Sequence, residues 1–142
     1  MDYRVIGNQV VLRVDRGEEL MASIATLCAK ESIKLGSIVG LGAADYLVMG
    51  LYDITEQKFN ETILDKPLEI TSIVGNITEM DGKPYYHVHI NAADAQGHVY
   101  GGHLKEVRIS GTAEIFITVI DGHVGRELDP ITGTGLNLFK FD

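Results

Sequence analysis

The sequence predicts an α+β fold, built as a single domain over residues 1–142, and three observations carry that expectation. The chain has 142 residues, the size of one domain, with 45% hydrophobic and 23% charged residues, ordinary values for a protein with one core. One stretch near residues 17–33 has the apolar spacing of an amphipathic helix. Nearly everything after it reads as short β-rich runs separated by turn formers, which predicts a mostly antiparallel sheet.

Taken in order, Tyr3 to Val14 holds two β-rich runs around Gly7-Asn8, a pair suited to a hairpin turn. Asp15 has the chemistry of an N-cap, with Glu18 three residues on at capping-box spacing. Leu20, Ile24, Leu27 and Cys28 then fall at i, i+4, i+7 and i+8, one helical face, and the helix should end near Ile33-Lys34, before Gly36. Cys28 lies on that face with no basic neighbour to lower its pKa, so it reads as a small core residue. The strand-like runs are 37–40, 46–52, 58–64, 69–77, 85–91, 107–109 and 114–120. Turn-forming residues separate them at 55–57, 65–67, 81–84, 94–97 and 121–122.

Composition narrows the function. Twelve basic against 20 acidic residues give a net charge of −8 and a pI near 5.0, and no two basic residues are adjacent. Nucleic-acid affinity comes largely from Lys and Arg neutralising phosphates, so this balance disfavours DNA as a partner. No apolar run approaches the roughly 18 residues of a membrane-spanning helix. The start, Met1 to Val5, lacks the basic and apolar regions of a signal peptide, and a cytoplasmic location is expected. The single cysteine cannot form an internal disulfide. Gly40-Leu41-Gly42-Ala43-Ala44 lacks the third glycine and following helix of a dinucleotide loop, so close backbone approach explains it better. No Gly-x-Ser-x-Gly elbow is present.

The chemistry concentrates in three histidines. His87 and His89 alternate within Tyr85 to Asn91, so both imidazoles project from one strand face. After a turn at Asp94–Gly97 the chain returns through Tyr100-Gly101-Gly102-His103, which would set His103 beside the first pair. Three neutral imidazoles with an open position describe a site for a divalent transition metal, zinc foremost. The competing reading is a set of partly buried, hydrogen-bonded strand histidines. His98 and His123 rank lower, the first by strand parity and the second by its turn context. Glu69 and Arg126 read either as members of surface ion pairs or, near a metal, as an acid/base carboxylate and an anion-holding guanidinium.

Ser37–Ala43, Leu68–Asn76, His87-Val88-His89, Gly97, Gly101–Leu104 and Arg126, in that order, resemble the plants-and-prokaryotes conserved (PPC) domain. The resemblance implies a largely antiparallel seven-stranded sheet flanked by helices, assembled as a homotrimer. The family is described as DNA-binding because its plant members carry AT-hook segments beside the domain, with an Arg-Gly-Arg-Pro core that this sequence does not contain. The fold also resembles acetolactate decarboxylase, whose zinc is held by three histidines. That comparison implies His87, His89 and His103 as metal ligands, with Glu69 and Arg126 as possible catalytic or substrate groups. Three functions therefore stand open: a DNA-binding or regulatory module, a metal-dependent enzyme of decarboxylase-like or hydrolytic type acting on a small anion, and a non-catalytic metal or polar cluster.

Overall fold

The computed structural model describes residues 1–141. Strands β1 (Asp2–Ile6) and β2 (Gln9–Asp15) form the expected hairpin, with Gly7 at φ +60° in the turn. Helix α1 (Leu20–Glu31) buries Leu20, Ser23, Ile24, Leu27 and Cys28, the predicted stripe. Its cap is Glu19 rather than Asp15: the Glu19 carboxylate accepts from the Met21 and Ala22 N–H groups at 3.0 and 2.6 Å. Glu18 does reach back to the Asp15 N–H at 2.8 Å, but it closes a turn before the helix. The helix stops at Ser32, in the left-handed region at φ +55°.

The remaining strands are longer than the sequence suggests: β3 (Gly36–Asp53), β4 (Lys58–Met80), β5 (Lys83–Ala93), β6 (Val99–Val119), β7 (Gly125–Leu128) and β8 (Asn137–Lys140). Several runs that read as separate strands are continuous, and a bulge replaces the expected turn at 65–67, while the turns expected near 55–57, 81–84 and 94–97 are present. At 65–67, Tyr46 pairs with Asp65 and Ala44 with Leu68, so Lys66 and Pro67 together oppose the single Asp45. A bulge is one of the few places within a sheet where proline, lacking an N–H, is tolerated.

The sheet order is β1-β2-β6-β3-β4-β5, with a separate β7-β8 ribbon. Six strands plus a two-stranded ribbon and one helix thus stand where seven strands and flanking helices were expected. All pairings are antiparallel, and β5 also pairs with β6, so β3, β4, β5 and β6 form a closed circuit. Inside lie Ile38, Leu47, Ile70, Ile73, Ile77, Val88, Ile90 and Ile109, with α1 packed against β6. Gly40 and Gly42 serve close packing: a Cβ there would lie 2.8 Å from the Glu114 carbonyl oxygen and 2.5 Å from that of Thr112. Among the described residues no helix is long and apolar enough to cross a membrane.

The β5–β6 turn is organised by buried Asp94. Its carboxylate accepts from Lys66 Nζ at 2.9 Å, the Tyr100 hydroxyl at 3.0 Å and the Gln96 and His98 N–H groups at 3.0 Å each. The Lys66 ammonium foremost, against the opposing effect of burial, holds this carboxyl well below its ordinary range. A folded pKa below the unfolded 3.8 gives a stabilisation present above that value and lost as pH falls through the folded pKa. Thermal melts from pH 2 to 6 should therefore show a smaller acid-induced loss in Asp94→Asn than in the parent protein. Equal losses would contradict the assignment.

Candidate metal centre

His89 pairs directly with His103 where β5 meets β6, and His87 lies two residues back on the same face of β5, opposite Asn76 of β4. Inward-facing Val88 and Ile90 alternate with the histidines and anchor the strand, so core packing fixes which way the imidazoles project. The glycines before His103 allow close approach. A Cβ on Gly102 would sit 2.7 Å from the Gly50 carbonyl oxygen, and one on Gly101 would collide with the Asn91 side chain.

The three rings converge. Their centroids are separated by 5.0 Å (His87–His89), 5.0 Å (His87–His103) and 5.5 Å (His89–His103). One nitrogen from each lies within 4.8 Å of the others, and His87 Nε2 is 3.2 Å from His89 Nε2. Tetrahedral zinc with Zn–N bonds of about 2.0–2.1 Å places its nitrogens about 3.3 Å apart, so the donor set fits such an ion. Burial, then repulsion from His103, His89 and Arg126, pushes His87 down to about 4, and burial foremost also lowers His103. Neutral imidazole is the form that ligates a metal. Among the described residues no carboxylate or thiol joins the group, so protein donors would leave a coordination position open.

Beside the rings is a cleft of about 560 Å³, lined from β3, β4, β5, β6 and the β7–β8 ribbon segment. Arg126 of β7 lines it and is only 8% exposed. Its Nε–H donates to Thr78 Oγ1 at 2.8 Å, Nη1 to the Asn137 carbonyl at 2.7 Å and Nη2 to Asn76 Oδ1 at 2.8 Å. Tyr85 and Phe139 lie 4.4 and 4.5 Å from its Cζ. Every one of these acceptors is neutral, and among the described residues no carboxylate pairs with Arg126.

The structure thus brings Arg126 together with the histidines but not Glu69. Glu69 is exposed, paired with Ala93 and Ala43. Ala93 lies four residues beyond His89, about 13 Å along β5. His98 contacts Asp94 at 3.3 Å, and His123 contacts Glu79 at 3.0 Å, both away from the centre. Sequence reasoning missed Tyr85, Asn76, Thr78 and Asn137 as supports of Arg126. Only the outward parity of Asn76 and Thr78 with respect to buried Ile77 could have hinted at the first two. A second depression of about 610 Å³, between the β1–β2 turn and the end of α1, has no comparable cluster of ligating side chains.

The sheet and its histidine site stand in a chain that resembles proteins of one known domain family. The family model of the Plants and Prokaryotes Conserved (PCC) domain matches residues 1–121, and the chain belongs to that family, also abbreviated PPC. A metal-containing protein from Archaeoglobus fulgidus is similar at TM-score 0.87 and 32% identity, covering 99% of this chain and 97% of that one. A plant- and prokaryote-conserved protein from Pyrococcus horikoshii is similar at TM-score 0.86 and 29% identity, covering 99% and 95%. A candidate DNA-binding protein from Bacteroides thetaiotaomicron is similar at TM-score 0.94 and 25% identity, covering 99% and 96%. Among curated proteins, the bifunctional protein GlmU of Synechococcus sp. (strain JA-3-3Ab) is 30% identical over 125 residues, 86% of this chain. The chain spans about a fifth (19%) of that relative's length.

Proposed function

We propose that this chain is a metal-binding protomer of a homotrimer, holding a divalent transition metal, zinc foremost, on His87, His89 and His103 and presenting it to a small anion. The observation that carries this reading is the convergence of three imidazole donors with no fourth protein ligand among the described residues. A structural zinc site is ordinarily closed by four protein ligands, whereas three leave room for a small molecule. When bound, such an ion supplies Lewis acidity toward a carbonyl oxygen or a water. Arg126 holds and orients the anion beside it, and the ribbon and aromatic walls restrict water. Used catalytically, the site suits decarboxylase-like or hydrolytic chemistry. Glu69 is too far from the histidines of its own protomer to share a proton with a ligand held there.

The trimer is supported by a row of exposed apolar side chains. Register places Phe116, Val39 and Val74 side by side across β6, β3 and β4, with His89 next on β5. The three apolar residues are 48–59% exposed, an uncovered stripe that leads to the metal ligands. Light scattering should return about three times the 15.5 kDa chain mass. Phe116→Glu should reduce it to one chain mass with unchanged far-ultraviolet circular dichroism. A parent protein that runs as a single chain would end the trimer reading.

Zinc titration of the metal-free protein tests the centre itself and should saturate at one ion per chain. Saturation below one ion per three chains would refute it. DNA binding is the second reading, favoured by the description of the Bacteroides relative and opposed by the −8 charge of each chain. The metal reading, with a cytoplasmic location, predicts no gel shift of duplex DNA at low salt and micromolar protein.

A further inference from the structure

We propose that the cleft beside the three histidines selects a small organic anion with a flat, apolar body, of which an arylcarboxylate is the simplest member. This deepens the preceding reading by naming the ligand class, and it rests on that reading for the position of the site. The selectivity comes from the walls of the cleft and not from the metal.

Two features set the ligand's head group. Arg126 carries a full positive charge, is more than nine-tenths buried and lines the cleft, yet its protein partners are two side-chain oxygens and one carbonyl oxygen, all neutral. A guanidinium has five N–H donors in one plane; three are engaged, leaving one on each terminal nitrogen. A buried charge without a counter-charge is costly, and an anion entering the cleft would relieve that cost. The two free donors lie in the guanidinium plane, and the rings of Tyr85 and Phe139 are centred 4.4 and 4.5 Å from its Cζ.

The rest of the cleft sets the body. Tyr52, Phe59, Leu136, Leu138 and Phe139 line the cleft, so much of the surface that a ligand body would meet is apolar. The volume of about 560 Å³ suits a molecule of one or two rings and is too small for a polymer. Apolar walls disfavour a sugar phosphate, whose hydroxyl groups would lose water without gaining partners. They favour a ring, which gains contact area at little conformational cost.

Calorimetric titration with benzoate, acetate and benzyl alcohol, on both zinc-loaded and zinc-free protein, tests the inference. Benzoate should bind at least about tenfold more tightly than either comparator in both forms, the acetate gap reading the ring and the benzyl alcohol gap reading the charge. Tyr52→Ala and Phe59→Ala should each reduce the benzoate-over-acetate ratio at least about threefold while circular dichroism stays unchanged. Phe59 packs edge-on to His103, with centroids 5.8 Å apart, so Tyr52→Ala is the variant that spares the metal ligands. Equal affinities for benzoate and acetate, or a ratio that neither variant changes, would overturn the proposal. Zinc stoichiometry in the same samples reads the metal centre separately. Lost zinc binding with the benzoate preference intact refutes the centre alone, and intact zinc binding without the preference refutes the ligand class alone.

Discussion

Changing His89 to alanine should weaken zinc binding by more than about 100-fold while leaving the fold and melting temperature of the metal-free protein nearly unchanged. The loss must exceed the roughly 10–100-fold that follows removal of a group that only orients a ligand, because a donor atom itself disappears. His89 is the variant of choice because its side chain is exposed and its neighbours Val88 and Ile90 carry the packing of the strand. Truncation of an exposed residue usually alters stability by no more than about 0.5 kcal/mol. His98→Ala is the matched control: it removes an imidazole from the same hairpin but not from the centre. Competition with a chromophoric zinc chelator reads both variants, and equal affinities for the two would contradict the ligand assignment.

Leu27→Ala should destabilise the protein by about 2–5 kcal/mol, the cost of lost apolar burial plus the cavity left behind. Leu27 is completely buried where α1 covers the sheet, between Ile24 and Cys28 of the same stripe. For a chain of this size the change corresponds to a drop of roughly 5–15 °C in melting temperature. Ile131→Ala, at a position 90% exposed, should stay within about 0.5 kcal/mol of the parent. Urea denaturation of both variants measures the contrast. A Leu27→Ala cost as small as that of Ile131→Ala would mean that the helix does not pack on the sheet as described.

What the sequence revealed and what it concealed divide along physical lines. The helix stripe was legible because Leu20, Ile24, Leu27 and Cys28 repeat at the period of one face, and all four are buried. The histidine cluster was legible because its two parts lie on neighbouring strands joined by a short turn, so local parity and one hairpin suffice to bring the rings together. Strand length was not legible. Pro67 has the local chemistry of a turn, but in the folded sheet it falls in a bulge that long-range pairing imposes, whereas the close approach expected at Gly40 and Gly42 is present. Capping was misplaced by four residues because Asp15 and Glu19 both offer a carboxylate, and only the packing of α1 decides which one meets free N–H groups.

The site's outer parts depend on register between distant segments, which a single sequence does not encode in any short pattern. Glu69 opens an apolar run and reads either as a surface ion-pair member or as an acid/base carboxylate, and only the pairing with Ala93, about 13 Å along β5 from His89, separates it from the histidines. Arg126 is far from the histidines in sequence and reaches them because β7 folds back beside β4, where Asn76 and Thr78 receive its N–H groups. The family match ends at residue 121, so the ribbon that supplies Arg126, Asn137 and Phe139 lies beyond the matched segment.

On the proposed reading, three imidazoles grip one ion and leave it reachable. X-ray absorption spectroscopy of the zinc-reconstituted protein tests this most directly. The spectrum should show three imidazole nitrogens at about 2.0–2.1 Å and one further light-atom ligand that is displaced when a binding anion is added. A spectrum with fewer than three imidazoles, or a shell that no added anion perturbs, would contradict it.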